Sequence, residues 1–234
     1  MTHPHVTITG KRLTTPRAAA IAGILFAILF TASLVIIRLA LPTGLDDSSS
    51  WSETGGGRVK LALSLMPFAG IAFLWFMGVI RDRLGAFEDQ FFSTVFFGSG
   101  LLFLAMIFAA SAVASGLVAS YTAGLAEFTG SEVYRFGRWV MSQFFTIYAL
   151  RMAGVFVISL GTIWLRTGLM PRWLSFITYL FALILILSTS LNIWMVLVFP
   201  TWVFIISIYI LILNMRSGAP GKSDGMTVSP VGDE

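Results

Sequence analysis

The residue of this sequence best suited to bind an anion is a single arginine inside a long apolar run. The run covers residues 139–163, and Arg151 at its midpoint is its only charged residue. A charge at the centre of a membrane costs about 2.5–3.5 kcal/mol on insertion scales, so such a guanidinium is expected to face protein, water or an anion rather than lipid. Arg151 is therefore the best single indication of function.

Other polar side chains accompany Arg151 along the same helix. At about 100° per residue, Tyr148, Ser159 and Thr162 fall within about 80° of Arg151, and Gln143 lies at a similar angle on the other flank. They make one polar stripe on an otherwise apolar cylinder. We predict that the stripe faces the interior of a helix bundle and that Arg151, Tyr148, Gln143 and Ser159 are ligand or gating residues.

The partner of Arg151 is left open by the sequence, because no Asp or Glu lies inside any apolar run. The acid best placed to reach it is Glu127, in a polar segment, 120–138, that fits a loop, an interfacial helix or a re-entrant segment equally well. Asn192, backbone carbonyls and a bound anion are the other candidates. A purely structural role, hydrogen bonding between helices without a ligand, is the alternative to a binding role.

Enzyme chemistry finds little support in the residues. The chain has no cysteine, and its two histidines, His3 and His5, lie in the N-terminal segment without a third ligand. No Gly-x-Ser-x-Gly or HExxH motif is present, and Gly55–Gly57 lacks the lysine of a phosphate-binding loop, so it predicts a flexible linker. We therefore expect no catalytic residue, metal site or cofactor, and a protein that is not an enzyme.

The composition is that of a membrane protein. Hydrophobic residues make up 57% of the 234 residues and charged residues only 11%, against about 25% charged in soluble domains. A helix of about 20 residues spans the hydrocarbon core. The apolar runs predict an all-α integral membrane protein, a bundle of six transmembrane helices at about 18–41, 61–80, 91–119, 139–163, 173–188 and 192–213.

Basic residues near the runs predict the orientation, since Lys and Arg are enriched in cytoplasmic segments. Six spans place both ends on one side, so residues 1–17 form a basic cytoplasmic tail and residues 214–234 a disordered cytoplasmic tail. The inner segments would carry Lys11, Arg12, Arg17, Arg81, Arg83, Arg166, Arg172, Arg216 and Lys222, and the outer loops Arg58, Lys60, Arg135 and Arg138. This bias indicates a multi-pass protein of the plasma (inner) membrane.

Small residues four apart give two helices faces that permit close contact. Gly23 and Ala27 lie in the first span, and Ala112 and Gly116 lie in the third. Beyond the lipid bilayer itself, we expect a homo-oligomer or a membrane partner at these faces. Nucleic acid is not expected despite the net charge of +4, because the basic residues flank apolar runs.

Two functions of different class fit these patterns. The first is a small channel or carrier for an anionic or amphipathic solute, with Arg151 in its path. The second is a non-transporting membrane subunit or scaffold that packs against partner proteins or lipids. They differ in what Arg151 contacts: a cavity reaching Arg151 favours the first, and a dry arginine bonded to neighbouring helices favours the second.

Overall fold

The protein is all-helical over the part of the chain that its structure describes. A computed structural model describes residues 15–40, 53–84, 90–123, 131–168, 170–187 and 193–217, and no strand occurs among them. The helices are α1 (Thr15–Ala40), α2 (Glu53–Leu84), α3 (Gln90–Thr122), α4 (Glu132–Gln143), a π-helical turn (Phe144–Ala149), α5 (Leu150–Thr167), α6 (Arg172–Leu187), a 3₁₀ turn (Ile193–Leu197) and α7 (Val198–Ser217). The predicted all-α class is confirmed.

Five helical segments are long and apolar enough to cross a membrane. They lie within Arg17–Ile37, Gly57–Asp82, Phe91–Thr122, Glu132–Thr167 and Met195–Leu213. The fourth is continuous from α4 through the π-helical turn into α5. The sixth apolar helix, α6, is shorter. The molecule thus has the helices of a multi-pass membrane protein.

Two stretches differ from what the sequence predicts. Helix α2 begins at Glu53, so Gly55–Gly57 are helical, and the predicted flexible linker was wrong. Packing of the buried Val59 and Leu63 outweighs the low helix propensity of glycine there. The polar segment 120–138, which fitted a loop, an interfacial helix or a re-entrant segment, belongs to helix α4 from Glu132 onward. Ser131 caps α4 by accepting a 3.2 Å hydrogen bond from the Tyr134 N–H.

The centre of the bundle is filled by aromatic rings from five helices. Phe73 of α2 packs against Phe26 of α1 at 4.8 Å between ring centroids and against Phe156 of α5 at 5.3 Å. Phe199 of α7 lies 4.6 Å from Phe103 of α3. All five side chains are buried. These contacts hold the helices together through close-packed rings rather than polar groups.

Basic side chains mark the two ends of the bundle. At one end Arg166 lies 4.6 Å over the ring of Phe92 and Arg81 lies 4.8 Å over that of Phe97. We call this the Arg166 end. At the other, the Arg138 end, exposed basic side chains come from α2 and α4; they are Arg58, Lys60 and Arg135, beside the half-buried Arg138.

Both ends of the described chain emerge at the Arg166 end. Gly23 in α1 packs against Phe76 of α2 and Ser207 of α7. Farther along α7, the ring of Tyr209 lies 6.2 Å from that of Trp173, at the start of α6. The start of α1 and the end of α7 are therefore neighbours.

Candidate functional site

Arg151 is exposed, although it lies near the middle of the apolar length of the bundle. It sits between Arg138 and Arg166 on one continuous helical segment, about 20 Å from each by helical rise. The hydrocarbon core of a bilayer is roughly 30 Å thick, so basic groups at this spacing bracket it. The guanidinium is therefore at the depth where a charge is most costly.

The predicted polar stripe does not face the interior as a unit. Tyr148 is 54% exposed, and Gln143 is half-buried. Ser159 is buried and donates a 2.7 Å hydrogen bond to the Val155 carbonyl of its own helix. The expected interior position was wrong for Arg151 and Tyr148. One reason is the π-helical turn at Phe144–Ala149, whose wider turn changes the angle between residues on its two sides.

The second reason lies in how α6 packs against α5. Two glycines of α5 bring the helices together, and they pair with α6 in antiparallel order. A Cβ on Gly161 would lie 3.1 Å from Cγ2 of Thr178, and one on Gly154 would lie 3.3 Å from both the Ala182 carbonyl oxygen and the Ile186 nitrogen. The backbones approach closely because glycine has no side chain to separate them.

Hydrogen bonds fix the position of α6 along its neighbours. The hydroxyls of Thr162 and Tyr179 lie 2.8 Å apart across the α5–α6 contact. The buried Trp202 of α7 donates through Nε1 to the Thr178 hydroxyl at 3.3 Å. Together with the glycine contacts, these bonds set the register of α6 against α5.

The last described turn of α6 lies near Arg151. By helical geometry Arg151 lies within about 20° of Thr162 and about 60° of Gly154, on the side of α5 that α6 covers. Gly154 contacts Ile186, one residue before Leu187, the last residue of α6 that the structure describes. Arg151 is one turn beyond Gly154, and its side chain is exposed past the part of α5 that the described residues of α6 cover.

A charge near the centre of a bilayer costs roughly 2.5–3.5 kcal/mol on insertion scales. An anion beside the exposed guanidinium of Arg151 would offset part of that cost.

Within the described residues, Arg151 makes no ion pair or hydrogen bond. The acidic side chains described there, Asp82 and Glu132, are exposed near opposite ends of the bundle. Two predicted partners, Glu127 and Asn192, lie outside the described residues.

The exposed surface next to the site is apolar. On α6, Leu180, Leu183 and Leu187 are 55%, 54% and 65% exposed and lie three to four residues apart on one side of the helix. They continue toward the exposed Trp173 at the Arg166 end. The described surface of α6 nearest Arg151 is thus apolar.

Two concave sites lie at the Arg138 end, away from Arg151. A cavity of about 20 Å³ between α1, α2, α3 and α4 is lined mostly by apolar side chains and has room for about one water molecule. An open groove of about 540 Å³ on α4 is lined by Arg135, Phe136, Arg138 and Trp139. No group of three His, Asp or Glu that would hold a metal ion occurs in the described ranges.

The small-residue faces differ in their surroundings. Gly23 and Ala27 are buried and pack within the chain. Ala112 and Gly116 are exposed, and a Cβ at Gly116 would meet no described atom within 4 Å. Of the two predicted faces, that of α3 is therefore the one that is exposed and could contact a partner.

Sequence reasoning missed Gly154 and Gly161, the residues that position α6. Their seven-residue spacing, on the side of the helix that carries Arg151, was the available signal. Comparison with known proteins adds nothing to this set: the sequence matches no family model, and no curated protein or solved structure matches it.

Proposed function

We propose that this chain is a small membrane carrier or channel that binds the anionic group of its solute at Arg151. The observation that carries the proposal is the exposed guanidinium near the middle of the apolar length of the bundle. A charge at that depth is costly in a bilayer, and an anionic group bound to it offsets the cost.

The route of the solute runs along the outer side of α5, past the end of α6. The rings around Phe73 and Phe156 fill the bundle centre, so a charged solute would have to displace close-packed aromatic side chains there. Tyr148, one turn from Arg151, adds an exposed hydroxyl to the route. Gln143 continues it toward the Arg138 end. Ser159 is buried away from this side, so its role is in helix packing.

We further propose that the Arg166 end is cytoplasmic and that the chain resides in the plasma (inner) membrane. The described chain begins and ends at the Arg166 end, and the sequence segments that flank it contain Lys11, Arg12, Arg216 and Lys222, which supports a positive-inside bias. Whether α6 and α7 complete two crossings or enter from one side only, both termini stay on the cytoplasmic side.

A non-transporting membrane subunit is the second candidate. The exposed Ala112 and Gly116 on α3 favour it, because small residues on an outer helix surface permit close contact with another helix. In that case a partner or lipid would cover Arg151 permanently, and no solute would pass.

The two candidates are separated by flux through purified protein in liposomes. The probes are chloride, followed with an enclosed chloride-sensitive dye, and radiolabelled dodecanesulfonate. We expect wild-type protein to pass at least one probe and Arg151→Gln to lose about tenfold or more of that flux, as for loss of a hydrogen bond to a charged group. Arg151→Lys should retain part of it.

The matched control is Arg135→Gln, which removes an exposed arginine at the Arg138 end, and it should leave flux unchanged. Wild-type flux no faster than in empty liposomes would favour the non-transporting subunit. Equal flux through wild type and Arg151→Gln would remove Arg151 from the path.

A further inference from the structure

We propose that the anionic group held at Arg151 belongs to a single-chain amphiphile that enters from the bilayer and lays its apolar chain along α6. This inference rests on the proposed function, and it names the class of solute. The shared chemistry of the head group is an oxygen anion, such as a sulfonate, carboxylate or phosphate, that accepts hydrogen bonds from a guanidinium.

The opening of the site determines how a solute reaches it. Arg151 and Tyr148 are exposed on the outer side of α5, where the neighbouring surface of α6 is apolar. Among the described residues, only Tyr148 beside Arg151 offers an exposed polar group to replace the water that a hydrated anion would lose there. An amphiphile is already dissolved in the bilayer by its chain, so only its head group needs a partner.

The exposed surface of α6 provides an apolar contact surface for the alkyl chain of the amphiphile. Its exposed stripe runs through Leu187, Leu183 and Leu180 to Trp173, about 21 Å by helical rise. One leaflet is about half of the hydrocarbon core, which is roughly 30 Å thick, so the stripe is long enough for one extended alkyl chain. Trp173 lies where an aromatic side chain marks the membrane interface.

Charge complementarity decides between occupants of this surface. A second copy that packed here through its own α5 and α6 would bring another Arg151 but no carboxylate, because the sequence has no acidic residue from Val133 to Ser223. A neutral lipid would leave the guanidinium uncompensated. The guanidinium of Arg151 would bind the anionic head group of one amphiphile, and the exposed stripe of α6 would contact its single alkyl chain.

Because the sequence has no cysteine, an introduced cysteine is the only residue that a thiol-reactive fluorophore would label. Leu187→Cys carries a bimane fluorophore at the end of α6, in liposomes of phosphatidylcholine. The quencher is 12-bromododecanesulfonate, and 2-bromoethanesulfonate is the short-chain comparison. The matched control label is at Leu102→Cys, an exposed position on α3 two residues from Gly100, which packs against Phe156.

We expect the long-chain quencher to act at position 187 at a concentration about tenfold or more below that needed at position 102. Adding Arg151→Gln should remove this difference, and Arg151→Lys should keep part of it. The short-chain quencher should show no preference for position 187.

Three other outcomes would overturn the inference. Equal preference from 2-bromoethanesulfonate would mean a site for water-soluble anions, with the proposed transport intact if chloride passes. Arg151-dependent quenching by brominated phosphatidylglycerol alone would mean a resident phospholipid. Cross-linking from position 187 to another protein in native membranes, without quenching by the amphiphile, would mean a partner helix. Quenching without flux of either probe would keep the binding site and contradict only the transport.

Discussion

Replacing Gly154 by alanine should separate α6 from α5 and disturb the site at Arg151. The added Cβ would lie 2.5 Å from Cγ1 of Ile186 and 3.3 Å from both the Ala182 carbonyl oxygen and the Ile186 nitrogen. One of these contacts is to a side chain, but the other two are to backbone atoms. The last described turn of α6 therefore has to shift by a few tenths of an ångström.

The expected size follows from two opposing effects. Overpacking a well-packed contact costs about 1–3 kcal/mol, whereas glycine-to-alanine exchange within a helix returns about 0.5–1 kcal/mol. We therefore expect Gly154→Ala to lower the free energy of unfolding by about 1–2 kcal/mol. Quenching at position 187 by 12-bromododecanesulfonate should weaken as well, because the end of α6 shifts relative to Arg151.

The assay is reversible unfolding in mixed micelles, followed by helical circular dichroism. Gly116→Ala is the matched control, because its Cβ would meet no described atom within 4 Å, and it should keep or slightly raise stability. If Gly154→Ala behaved like Gly116→Ala in both stability and quenching, α6 would not pack against α5 as described, and the explanation of the exposed arginine would fail.

Three further predictions test the surrounding structure by the same unfolding assay. Thr162→Val and Tyr179→Phe should show a coupling of about 0.6 kcal/mol, and at most about 1.7, in a double-mutant cycle; zero coupling would contradict their hydrogen bond. Phe73→Ala should cost about 3–5 kcal/mol, and a loss below 1 kcal/mol would contradict the close-packed aromatic core. Arg151→Gln should change the free energy of unfolding by no more than about 0.5 kcal/mol, because the exposed guanidinium makes no ion pair or hydrogen bond within the described residues. A loss of 3 kcal/mol or more, the range for breaking a buried ion pair, would make the arginine structural.

The helices and the depth of Arg151 follow largely from the sequence. Long apolar runs have few alternatives to helices in a bilayer, because every backbone polar group must be paired within the segment. The run 139–163 therefore predicted a helix with Arg151 at its centre. Its start at Glu132 was not predicted, because the amphipathic first turns are too polar to resemble a span.

The side on which Arg151 lies was not predictable from its own helix. It depends on how a different helix packs against α5, and that packing is set by Gly154, Gly161 and the bond between Thr162 and Tyr179. A helical projection of residues 143–162 also assumes one regular twist, and the π-helical turn at Phe144–Ala149 breaks that assumption.

We infer that position 151 faces the bilayer at mid-depth, and spin labelling can measure both its surroundings and its depth. A nitroxide on Arg151→Cys in liposomes should be mobile, highly accessible to oxygen, poorly accessible to a water-soluble nickel complex, and near the bilayer centre. A label at the buried Ala149→Cys is the control and should be immobile and shielded from oxygen. An immobile, oxygen-shielded label at position 151, or one at the depth of the head groups, would contradict the account.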